Sequence, residues 1–71
     1  GVRELSTEVR ADATLIQQRL IELGYLKGKA DGAFGKGSRA ALGKFRADAG
    51  LGSEAAWDLA TQQALFKDSG L

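Results

Sequence analysis

The sequence contains no Cys, no His and no Met, and its longest purely apolar runs are two or three residues. Without Cys there is no disulfide to staple a small fold, and the usual zinc-site spacings are missing. Without Cys and His, neither a Cys–His dyad nor a Ser–His–Asp triad can be assembled. Isolated carboxylates such as Asp31, Asp48 and Asp58 then read as helix caps and solvated charges, not as metal ligands or a hydrolytic pair. No apolar run is long enough to span a bilayer or serve as a signal-peptide core. The lack of Cys fits the periplasm, the exterior and the cytosol equally. A chain that opens Gly1-Val2-Arg3 and holds no Met reads as a piece of a longer protein, with any targeting segment outside it.

The 71 residues suffice for one domain. A domain this short buries only about 60% of the surface of its unfolded chain, so apolar packing must hold it together with a modest margin. Lys27, Lys29, Lys36, Arg39, Lys44 and Arg46 face the single acid Asp31 in the middle of the chain, a local +5 within a net charge of +1. That asymmetry suits either an anionic partner on one face or a solvated surface.

Three helical stretches separated by glycines are expected. In the first, residues 12–23, Ile16, Leu20 and Leu23 recur on one apolar face beside Leu15, with Gln17, Gln18, Arg19 and Glu22 on the wet side. Asp12 is the expected N-cap and Gly24 the left-handed residue after the C-cap. The loop of residues 24–37 follows, with five glycines and an Asp31-Gly32 turn signal. Phe34 is its anchor onto the core. In the second helix, residues 36–49, Leu42, Phe45 and Ala49 form the core stripe, and Lys36, Arg39, Gly43 and Arg46 share another face. Gly43 costs a helix interior about 1 kcal/mol relative to Ala, which points to close helix–helix approach or to a notch in the basic face, with packing favoured. A third helix over residues 58–66 starts at Asp58, with Ser53 as the alternative cap. Residues 1–11 are a linker or an extra helical turn using Leu5 and Val9, and residues 68–71 are a tail. The fold class is therefore all-α: a compact three-helix bundle over residues 12–67, with a long Gly-rich loop between helices 1 and 2.

Ile16-Gln17-Gln18-Arg19-Leu20, Leu23-Gly24-Tyr25, Asp31-Gly32-Ala33-Phe34-Gly35, Ser38, Ala41-Leu42 and Phe45-Arg46 follow one another at a particular spacing. Gly50-Leu51 and then Asp58, Thr61, Ala64 and Leu65 complete the series. With these motifs the chain resembles the three-helix peptidoglycan-binding domains appended to bacterial cell-wall hydrolases and envelope proteins, over residues 12–66. It departs from that pattern at Lys36-Gly37, where a Pro is common, and at Ser38, where Thr is usual. It departs again at Glu54-Ala55, in place of a Thr-Gly turn, and at Gln62, in place of an aromatic residue.

The resemblance implies a non-catalytic module that targets a parent protein to cell-wall peptidoglycan, in the periplasm or outside the cell. Peptidoglycan stem peptides carry free carboxylates, which suit Lys27, Lys29, Arg39 and Arg46. Tyr25 either stacks on a sugar face of the glycan or caps the core with its hydroxyl wet. Trp57 poses the same choice, with burial favoured. Tyr25, Lys27, Lys29, Arg39 and Arg46 are therefore the expected ligand-binding residues. No catalytic residue, metal or cofactor is expected, nor nucleic-acid binding or membrane insertion. The expected partners are peptidoglycan and the parent protein's other domains, with the module itself a monomer. The alternative is a protein–protein or regulatory module on the same scaffold.

Overall fold

Helices α1 (Arg10–Glu22), α2 (Lys36–Asp48) and α3 (Leu59–Leu65) follow in chain order, with no strand among the described residues. The computed structural model describes residues 4–67; the 68–71 tail and the first three residues lie outside them. α1 packs against both other helices. The radius of gyration of 10.8 Å is close to the roughly 11 Å of a folded chain of this length.

Glycine sets where the two long helices stop. Gly24 and Gly50 both take the left-handed conformation. This lets the N–H of Gly24 donate to Ile21 O (3.0 Å) and that of Tyr25 to Leu20 O (2.8 Å). Gly50 and Leu51 donate likewise to Ala47 O (3.2 Å) and Arg46 O (2.8 Å). Both ends are Schellman closures, which satisfy carbonyls that the helix itself leaves open. The start of α1 differs from expectation. The helix begins at Arg10, its N-cap Val9 offers no side-chain bond, and Asp12 sits inside the first turn. There its carboxylate accepts from the Ser6 N–H at 3.1 Å and complements the helix dipole. At α3 the cap falls on Asp58, not on Ser53: Asp58 Oδ1 accepts from the Thr61 N–H (2.8 Å) and the Thr61 hydroxyl (2.6 Å).

Ile16 and Leu20 of α1, Ala41 and Phe45 of α2, and Leu65 of α3 form the core. Tyr25, Leu26, Phe34 and Trp57 pack around it, so Phe34 does anchor the loop. Each aliphatic side chain fully buried here contributes about 1.5–3 kcal/mol. Leu5 joins the core as part of neither a linker nor a helical turn. Its N–H donates to Gln62 Oε1 (2.7 Å) and its carbonyl accepts from Trp57 Nε1 (2.8 Å). The N-terminal segment is thereby strapped across the lead-in to α3.

The apolar faces are narrower than their spacing suggests. Leu15 and Leu23 are 37% and 41% exposed, and Ala49 is exposed too. Gln17, expected on the wet side, is 1% exposed. Its amide nitrogen donates to Ala33 O and Ser38 Oγ, both at 2.9 Å, while its oxygen accepts from the Gly32 N–H at 2.8 Å. One buried amide thus ties α1 to the connecting loop and to the first turn of α2, satisfying groups that burial would otherwise leave unpaired. Arg19 is only partly exposed, and its Nε donates to Leu65 O at 2.7 Å.

Candidate functional site

The basic segment divides between the surface and the interior. Lys27, Lys29, Lys36, Arg39 and Lys44 are exposed. Arg46 is 7% exposed. Its Nε donates to Thr61 Oγ1 (3.0 Å), its Nη1 to Glu54 O (2.8 Å), and its Nη2 lies 3.5 Å from Asp58 Oδ2. Arg39 and Arg46 are two helical turns apart and share one azimuth of α2, as their spacing predicts. The segment of residues 53–61 covers the C-terminal part of that face and leaves Arg39 in the open. Arg46 therefore organises the approach to α3, and its guanidinium is spent on internal acceptors.

Gly43 marks where this covering segment meets α2. A Cβ there would sit 3.0 Å from the Ser53 carbonyl oxygen. Close packing explains the glycine, and the neighbour is a loop, not another helix. Beside this contact lies a shallow depression of about 440 Å³, lined by Arg39, Ala40, Gly43, Lys44, Ala47, Ser53 and Ala55. A second depression, of about 470 Å³, is lined by Gln18, Ile21, Glu22, Lys29 and Ala30. Lys29 and Arg39 thus belong to different concavities, and Lys27 lines neither of them. Lys44 lines the first depression as well, although its charge alone does not set it apart from the other cations of the segment. Its signal was the i, i+4 repeat of Ala40 and Lys44 beside that of Arg39 and Gly43.

Tyr25 is half-buried. Its ring meets Phe45 edge-on, with centroids 5.5 Å apart, and its hydroxyl donates to Asp48 Oδ2 at 2.7 Å. That bond, helped by desolvation and the nearby negative charge, raises the Tyr25 pKa above the ordinary tyrosine value. Tyr25 closes the α1 end against α2 and lines neither concavity. Trp57 packs on the core with its indole N–H satisfied.

Two carboxylates are held low by their surroundings. Asp31 is stabilised first by the Ala33 N–H (3.0 Å), then by the Gln17 amide and the positive charge of Arg10. Asp58 is stabilised by the Thr61 hydroxyl, the Thr61 N–H and Arg46. Both serve turn and cap geometry. Among the described residues no group of three or more His, Cys, Asp or Glu is placed to hold a metal ion. No described helix is long and apolar enough to cross a membrane.

The two long helices of the bundle are closed by glycines, and Lys27, Lys29, Lys36, Arg39 and Lys44 are exposed, with no side-chain hydrogen bond or ion pair among the described residues. The family model described as “Putative peptidoglycan binding domain” matches residues 9–65, and the chain belongs to that family. No curated protein and no solved structure matches the chain significantly.

Proposed function

We propose that this chain is a non-catalytic module that binds cell-wall peptidoglycan and holds a parent protein against the wall, in the periplasm or outside the cell. Family membership supports the ligand, and the observation that carries the reading here is the cationic surface. Lys27, Lys29, Arg39 and Lys44 are exposed, and none makes a side-chain hydrogen bond or ion pair among the described residues. Peptidoglycan presents free carboxylates, to which Arg can offer a two-pronged N–H fork and Lys a point charge. Each exposed pair contributes only about 0.2–1 kcal/mol, so a single module binds weakly and is screened by salt. Weak binding is enough for tethering, which acts through effective concentration.

Co-sedimentation with purified insoluble peptidoglycan tests this reading. The wild-type chain should pellet at low salt, and Lys29→Gln combined with Arg39→Gln should reduce the pelleted fraction. Binding that survives both substitutions unchanged would move the site elsewhere.

A further inference from the structure

We infer that the depression between α2 and residues 53–55 receives the end of a peptide, an alanine methyl beside a free carboxylate, and not a sugar ring. The ligand's identity rests on the peptidoglycan reading above. Its chemical part follows from the lining. Ala40, Gly43, Ala47 and Ala55 present nothing larger than a methyl group, so the floor is apolar and small-featured. Arg39 and Lys44 stand at the rim, no acidic residue lines the depression, and Ser53 supplies its one hydroxyl-bearing side chain. A sugar ring is usually held by an aromatic face and by carboxylates or amides that bond its hydroxyls. This depression has none of these groups. A small apolar group flanked by negative charge matches both halves of it, and a stem peptide ending in alanine carries that pair. The second depression, with Gln18 and Glu22, is the one furnished for hydroxyls.

The wall of the depression is built by contacts already described. Arg46 Nη1 holds Glu54 O at 2.8 Å, and the bare Cα of Gly43 lets the Ser53 carbonyl approach α2. The concavity therefore exists before any ligand arrives.

The test is a titration of the isotope-labelled chain, followed by its backbone amide NMR signals. Three probes are used: N-acetyl-D-alanyl-D-alanine, the same dipeptide as its C-terminal amide, and an N-acetylglucosamine trimer. The free acid should shift the signals of Ala40, Gly43, Lys44, Ala47, Ser53 and Ala55, with an affinity on the order of millimolar. The amide should bind about three- to tenfold more weakly, the range expected for losing two exposed charge pairs. Arg39→Gln with Lys44→Gln, both at exposed positions, should bring the acid down to the level of the amide while leaving the remaining signals in place. Equal affinity for acid and amide would overturn the inference. So would shifts at these residues from the sugar trimer alone, or acid-induced shifts confined to Gln18, Ile21, Glu22 and Lys29. A chain that pellets with peptidoglycan but shows no acid-dependent shifts here loses this inference and keeps the general function. One that takes the acid here but fails to pellet upholds the inference and loses the general function.

Discussion

Replacing Arg46 by Met separates a structural role from a ligand-binding one. Met keeps much of the length and apolar bulk of the side chain and removes the guanidinium. Two bonds carry the loss: Nη1 to Glu54 O at 2.8 Å and Nε to Thr61 Oγ1 at 3.0 Å. Hydrogen bonds to a charged group contribute about 1.5–3 kcal/mol each when buried, and neighbouring bonds do not add in full. The 3.5 Å ion pair with Asp58, whose side chain is 52% exposed, adds little because water screens it. Met restores some apolar burial. The net expectation is a loss of about 2–4 kcal/mol from a total of roughly 4–10 kcal/mol for a chain of this length. With a urea m-value of about 1 kcal/mol/M, the unfolding midpoint should fall by about 2–4 M. Trp57, the sole tryptophan, reports unfolding by fluorescence, since its indole N–H is bonded to the strapped Leu5 segment. A midpoint within 0.5 M of wild type (about 0.5 kcal/mol), together with lost peptidoglycan binding, would refute the reasoning and return Arg46 to the ligand-binding surface.

Two further perturbations probe the fold at other places. Gly32→Ala should destabilise by about 1–3 kcal/mol, because φ is +81° and the new Cβ would lie 2.5 Å from Arg10 Cγ and 3.0 Å from Arg10 O; urea unfolding measures it, and an unchanged midpoint would contradict it. Asp58 has a folded pKa below the ordinary carboxylate range, so its contribution is present above the unfolded pKa and is lost as pH falls through the lower folded one. The urea midpoint should therefore decline below about pH 4. Asp58→Asn, which still caps but does not titrate, should flatten part of that decline, and an identical acid limb in the variant would show that Asp58 does not contribute.

What could be read from the sequence follows physical kind. The helices, the ends at Gly24 and Gly50, the Asp58 cap and the Phe34 anchor are local features, written in spacing and turn chemistry. The roles of Gln17, Arg46 and Leu5 depend on segments far away in the chain, which local spacing does not encode. A glutamine on an apolar face looks like a boundary of that face until the loop at Gly32 and Ala33 folds onto it. Its place in the Ile16-Gln17-Gln18-Arg19-Leu20 motif is the one local signal. Arg46 shares a helical face with Arg39, and only the return of residues 53–61 covers one and spares the other. For the candidate site, the exposed cations Lys29 and Arg39 were legible as charges. Their separation into two depressions was not, because the second wall of each comes from another part of the chain.

The most direct test of the central claim is a binding isotherm of the wild-type chain on purified insoluble peptidoglycan, measured across a salt series. Saturable pelleting at low salt that weakens steadily as salt rises is the predicted result. Failure to pellet at low salt, or pelleting indifferent to salt, would contradict recognition of the wall through these exposed cations.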